Sequence, residues 1–261
     1  LTNELETLEK KFPEFIVRSS PSLNVGSDIT REFVQYEHKY PMLSLGNTYN
    51  YEELRDFDNR VRKSVSGEVE YVCELKFDGA SISITYINGI MSTAVTRGDG
   101  TKGDDVSANV RTIRSIPSEV HAPDIPGEFI VRGEILMPRL VFNRLNEVRE
   151  KEGLNLFANP RNAASGTLKM LDPTVVASRG LDCLFYFLLG EELPWKTHYE
   201  NLMKAAKWGF KVAESIRVCK SIGDVIGFIE SWEHKRDGLP YDTDGVVGVV
   251  RLHPRAGLPE L

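Results

Sequence analysis

Cysteine is scarce in this chain of 261 residues. Cys73, Cys183 and Cys219 are the whole complement, and no two form a CxxC pair. An odd number of widely spaced thiols argues against a disulfide framework or a local cysteine zinc site and fits a reducing compartment. Long hydrophobic runs are missing too. The most apolar stretch, Cys183 to Leu189, is far shorter than the roughly 20 residues that span a bilayer, and the N-terminus has no signal-like segment. No membrane association and a cytoplasmic location are therefore expected. Positive charge is not in excess: 32 Lys and Arg stand against 38 Asp and Glu, a net charge of −6. That excludes a uniformly basic nucleic-acid binder and leaves a local basic patch as the route to such a partner. The chain also lacks internal repeats and low-complexity segments.

What is present is a 41% hydrophobic composition, enough for a packed core in one large or two small domains. Leu1, Leu5 and Leu8 are spaced as on a helix that Pro13 stops, and residues 18 to 41, with Ser, Pro, Gly and Asn but no periodicity, read as a linker. Asn50 is placed to cap a helix running towards Val65. β-Branched and aromatic residues predict strands over 70–76, 80–88, 90–96, 128–136, 182–189, 211–218 and 245–250, with helices between. Asn88-Gly89 between two alternating runs signals a hairpin, which pairs neighbouring strands antiparallel and points to an α+β fold.

Within the first strand, Glu74 and Lys76 alternate with apolar residues and so share a face; Asp78 and Gly79 follow at the bend. Taken alone this is most simply a solvated strand with a weak ion pair. The pattern recurs, however: Arg132 and Glu134 occupy one face of the 128–136 strand. Polar residues inside strands are costly unless paired or bound to something, so two such faces suit either a salt-bridge ladder or a shared polar cleft.

Between them lies TRGDGTKGDD, where three glycines allow sharp turns beside Arg97. Asp104 after Gly103 breaks the Walker pattern, and the carboxylate spacing is wrong for an EF-hand. Arg97 would suit a phosphate. FANPRNAASGTLKMLDP, residues 157–173, turns helical after Pro160 and presents Arg161 and Lys169, either as solvated cations or as anion contacts. Asp242-Thr243-Asp244-Gly245 leads into the last apolar strand and reads, by itself, as a turn into a core strand.

Taken together and in order, Lys76-Phe77-Asp78-Gly79, Thr96-Arg97-Gly98-Asp99-Gly100, Val131-Arg132-Gly133-Glu134 and Asp244-Gly245-Val246-Val247 resemble the covalent nucleotidyltransferases. HKYPMLSLGNTY, TRGDGTKGDDVSANVRTIRSIP and FANPRNAASGTLKMLDP narrow the resemblance, over about residues 1 to 247, to the adenylation domain of bacterial NAD-dependent DNA ligases. It implies a covalent nucleotidyltransferase (ATP-grasp-like) α+β fold with antiparallel sheets around a nucleotide cleft. It also implies a chemistry, in which Lys76 attacks the α-phosphate of NAD, expels nicotinamide mononucleotide and hands AMP to a DNA 5′-phosphate. By the same resemblance Glu74 meets the adenine amino group, Asp78 and Glu134 the ribose or a metal, and Arg97 the phosphate or ribose. Ser44, Leu45 and Asp244 line the site, Tyr186 stacks on adenine with Val247 opposite, and Arg161, Lys169 and Arg236 touch DNA phosphates. Magnesium is the implied ion, its ligands undefined; nicked double-stranded DNA and NAD or AMP are the implied partners of a monomer.

The resemblance also divides the chain. Residues 1–40 correspond to a remnant helix of an N-terminal domain plus linker, 41–250 to the adenylation domain, and 251–261 to an off-pattern tail. The family's zinc module is absent, and Val249 stands where the family carries a phosphate-gripping lysine. Two other readings are an ATP-dependent ligase-like nucleotidyltransferase and an adenine-nucleotide or DNA-binding fragment that no longer adenylates itself.

Overall fold

The computed structural model describes residues 33–65, 67–193 and 196–252, with Leu252 by its backbone. The expected helix at 1–12 and the tail beyond 252 lie outside these residues. Strands, in chain order, are β1 (Gln35–Glu37), β2 (Val69–Phe77), β3 (Ala80–Ile87), β4 (Ile90–Thr96), β5 (Lys102–Asp104), β6 (Glu128–Leu136), β7 (Asp182–Leu189), β8 (Arg217–Cys219) and β9 (Thr243–Leu252). Helices are α1 (Tyr51–Ser64), α2 (Ser107–Val110), α3 (Arg139–Lys151), α4 (Pro160–Leu168), α5 (Pro173–Ser178), α6 (His198–Lys207) and α7 (Ile222–Trp232).

The strands form three sheets, ordered β8-β2-β9, β4-β3-β6-β7 and β1-β5, and all their pairings are antiparallel. The α+β expectation is therefore met. Asn88 (φ 50°) and Gly89 (φ 79°) make the two-residue turn between β3 and β4, the left-handed conformation this hairpin needs. Asn50 caps α1 as predicted, its side chain accepting from the Glu53 N–H.

Alternation explains why β2 can carry both core and chemistry. Tyr71, Cys73 and Leu75 point into a core closed by α1 and α7, including Leu54, Phe57, Val225 and Phe228. Residues 70, 72, 74 and 76 take the opposite face. The four-stranded sheet has its own aromatic core, where Tyr86 stacks on Phe129 at 5.0 Å and Phe210 abuts Tyr86 and Phe185 edge-on. Leu136, Leu184, Tyr241 and Phe77 join the two sheets.

The expected strand at 211–218 is a correction. Val212 makes only an isolated bridge to Phe185, a turn closes from Ala213 O to Ile216 N, and β8 begins at Arg217. The apolar run leaves one sheet and enters the other, so its composition reads as one strand and its hydrogen bonds do not. The predicted linker likewise contains β1, whose Gln35, Tyr36 and Glu37 pair with Asp104, Gly103 and Lys102. Its side chains are exposed, so no hydrophobic alternation marked it. Strand β9 continues in register past the expected end, Glu70 facing Arg251 across an ion pair of 3.2 Å.

Candidate active site

Lys76 stands near the end of β2 on the face away from the core, its side chain 45% exposed. Across from it β9 bulges: Lys76 pairs with Gly245 and Phe77 with Thr243, so Asp244 has no Cα partner. A bulge turns a side chain out of the pleat. Here it brings the Asp244 carboxylate to 2.7 Å from Nζ of Lys76. The bend after β2 is fixed by the Asp78 N–H donating to Asp242 O at 2.9 Å, and Asp242 in turn accepts from Arg139 Nε at 2.6 Å.

Arg161 lies in the first turn of α4, which Asn159 caps through the Asn162 N–H. Its guanidinium donates to Asp78 at 2.9 Å. The residue expected at DNA is thus part of the lysine's surroundings. Gly79 makes this possible by close approach: a Cβ there would lie 2.2 Å from Ile135 O, a backbone atom of β6.

On β6, Glu134 sits beside Ser81 of β3, whose hydroxyl donates to it at 2.8 Å. Burial pushes the Glu134 carboxyl up to about 7, although the Ser81 hydroxyl, Lys76, Arg161 and the Gly79 N–H all pull it down. Tyr186 occupies a second bulge. Arg132 pairs with Phe187 and Gly133 with Phe185, leaving Tyr186 unpaired between them. Its phenol is raised first by burial and then by the nearby Glu134 charge, while the Ser81 hydroxyl and the Arg132 charge pull it down. Two of the expected site residues, Asp244 and Tyr186, are therefore presented by irregularities in the ladder.

Glu74 faces Val247 in register, one turn of the pleat from Lys76. It is buried and meets His198 Nε2 at 2.6 Å. Sequence reasoning missed His198 and Ser81. Thr197-x-x-Glu200 does announce a helix start, realised as a capping box, but nothing local indicates that the next residue reaches a carboxylate 124 positions away.

The remaining expected residues are less closely gathered. Arg97 follows β4 with an exposed side chain; its N–H donates to Ser81 O at 3.2 Å, and its carbonyl accepts from Gly100 N and lies 3.2 Å from His38 Nε2. Ser44 and Leu45 are exposed on the irregular stretch before α1. That stretch is anchored where Arg132 donates to the Tyr40 and Pro41 carbonyls and Met42 N–H to Gly100 O. Lys169 pairs with Asp104 at 2.6 Å, and Arg236 lies exposed in a 3-10 turn, Lys235–Gly238.

A resident metal does not fit what is seen. Among the described residues no three His, Cys, Asp or Glu side chains gather as ligands, and Asp78 and Asp244 are each matched by a cation. Among the described residues no helix is long and apolar enough to cross a membrane.

A family profile described as the NAD-dependent DNA ligase adenylation domain matches residues 30–255. A DNA ligase of Parabacteroides distasonis is 54% identical over 247 residues, covering 95% of this chain and 37% of that protein. One from Phocaeicola vulgatus gives the same figures, and one from Cytophaga hutchinsonii is 51% identical over 261 residues, covering 99% of this chain and 39% of its own. The chain thus spans less than two fifths of these relatives. Mycobacterial DNA ligase D complexed with ATP and MES matches at 14% identity and a TM-score of 0.37, covering 70% of this chain and 48% of that one, so the assignment stands on the sequence matches. The chain belongs to the NAD-dependent DNA ligase adenylation domain family.

Proposed function

We propose that Lys76 is the nucleophile of a self-adenylation reaction with NAD, and that the AMP it receives is passed to the 5′-phosphate of nicked double-stranded DNA. The observation that carries this reading is the arrangement around Lys76. A half-exposed amine sits on a rigid strand with Asp244 at 2.7 Å, while Asp78, held by Arg161, and Glu134 close the same patch. An amine on a fixed strand is a good nucleophile once it has lost a proton. Attack forms an N–P bond at the α-phosphate and breaks the pyrophosphate bond, with nicotinamide mononucleotide leaving on the departing oxygen. Asp244 is the carboxylate within hydrogen-bond reach of the departing proton.

In this reading Glu74 meets the adenine amino group, Tyr186 stacks on the base with Val247 opposite, and Glu134 meets the ribose. Arg97 faces the phosphate, with Ser44 and Leu45 on the rim. Lys169 and Arg236 serve DNA phosphates, and Arg161 is close enough to act at the nucleotide as well. The adenylation unit comprises residues 41–250. The work belongs to DNA replication and repair in the cytoplasm. Magnesium, if used, would come with the nucleotide's phosphates, since a small hard cation needs few protein ligands when phosphate oxygens supply the rest.

Intact mass after incubation with NAD or with ATP tests this. One added AMP from NAD and none from ATP is expected; gain from ATP alone would move the chain to the ATP-dependent reading. A second reading, nucleotide binding without self-adenylation, draws support from Val249, whose apolar side chain occupies the position of the family's lysine.

A further inference from the structure

Glu74 and His198 are enclosed together: their side chains are 9% and 8% exposed, and 2.6 Å separates Oε1 from Nε2. A carboxylate is a pure acceptor when ionised, so Nε2 is the donor in this bond. The imidazole is held from two other sides. Phe187 packs on it with ring centroids 4.9 Å apart, and His198 is the first residue of α6, whose entry is fixed by the Thr197–Glu200 capping box. Across the strand pair from Glu74 lies Val247, which shares its face.

We propose that His198 is a specificity-determining positioning residue for the purine. It fixes Glu74 as a hydrogen-bond acceptor with one oxygen used and the other turned to the base, so that a 6-amino purine is taken and a 6-oxo purine is refused. The proposal rests on the adenine reading of this cleft. An exocyclic amine supplies the donor that the second oxygen needs. A 6-oxo group would set acceptor against acceptor in a buried site, leaving both unsatisfied. Without His198 the Glu74 carboxylate loses the donor that fixes its orientation, so the acceptor that separates the two purines is no longer held at the base and discrimination should shrink. A merely structural contact between α6 and β2 would instead weaken both purines alike.

The measurement is calorimetric titration of AMP and of IMP, which differs in the 6-oxo group, into nucleotide-free protein. His198→Phe keeps a ring against Phe187 and removes the donor; His198→Gln returns an N–H near the same place. The unmodified chain should prefer AMP. His198→Phe should cut that preference about tenfold, as expected for one charged hydrogen bond, and His198→Gln should restore most of it. Glu74→Gln, which puts a donor at the base, is the second arm and should lose the preference even if His198→Phe fails to fold. An unchanged AMP-to-IMP ratio in folded His198→Phe, or in Glu74→Gln, overturns the proposal. Failure of the unmodified chain to bind AMP overturns the adenine reading itself and the proposal with it.

Discussion

Nζ of Lys76 and Oδ2 of Asp244 lie 2.7 Å apart because β9 carries one more residue than β2 at this point. Without the bulge, strict alternation would make Asp244 the partner of Phe77 and turn its carboxylate away from the lysine. The extra residue thus converts a ladder position into a contact at the Lys76 amine. The same device presents Tyr186 on β7.

Replacing Lys76 by alanine should abolish AMP attachment and leave the fold intact. The side chain is 45% exposed and its partner 40%, and exposed pairs contribute about 0 to 1 kcal/mol. Intact mass and a melting curve read the two halves of this expectation. AMP still gained by the alanine variant would remove Lys76 from its role.

Glu134 predicts a pH dependence with a definite sign. Its folded carboxyl titrates at about 7, above the ordinary 4.5, because it is buried. Between those values the folded state holds a proton that the unfolded state has released, so this group's contribution to stability falls as pH rises through the window. Glu134→Gln removes the effect. Relative to the unmodified chain, the variant should gain stability above pH 7 compared with below pH 4.5, by on the order of 2 kcal/mol. Denaturant midpoints measured from pH 4 to 8.5 show whether the two curves diverge in that direction.

Tyr186→Ala should weaken AMP binding by roughly 1 to 3 kcal/mol, the scale of an aromatic stacking on a base. Tyr186→Phe should lose much less, since the face of the ring survives. Equal loss in both would assign the effect to the hydroxyl near Ser81 and Glu134.

The regular parts of this fold were legible because they obey periodicity. The hairpin at Asn88-Gly89, the cap at Asn50 and six of the strands follow from turn chemistry and alternation. What alternation could not give is what departs from it. The 211–218 run divides between two sheets at a turn, and β1, exposed along its length, carries no apolar signal. Within the site, Lys76, Glu74 and Asp78 could be placed on one patch from i and i+2 spacing. The nearness of Arg161 to Asp78 and of His198 to Glu74 depends on helix packing across 83 and 124 residues, for which local spacing holds no information.

Gly79 should not tolerate alanine. The added Cβ would meet Ile135 O at 2.2 Å and Leu136 Cδ2 at 2.7 Å, and a backbone carbonyl in a paired strand cannot step aside. Strands β3 and β6 would have to separate beside Glu134. A loss of about 2 kcal/mol or more is expected, with slower AMP gain because Ser81 and Glu134 move together. An unchanged urea midpoint for Gly79→Ala would mean the strands can part without cost.

Val249 offers a gain-of-function experiment. It pairs with Val72 and lies two residues beyond Val247 on the same face of β9, where the resemblance puts a lysine that grips phosphate. A lysine stem can lie along the strand while its ammonium reaches toward the cleft. If the missing charge limits self-adenylation, Val249→Lys should speed AMP gain from NAD at least tenfold, because one well-placed cation on developing phosphate charge contributes several kcal/mol. AMP affinity should change far less, since the base contacts are untouched. Val249→Met, of similar length without the charge, separates electrostatics from bulk and should leave the rate where it was. Equal rates for all three proteins would show that the valine is not what restrains the reaction.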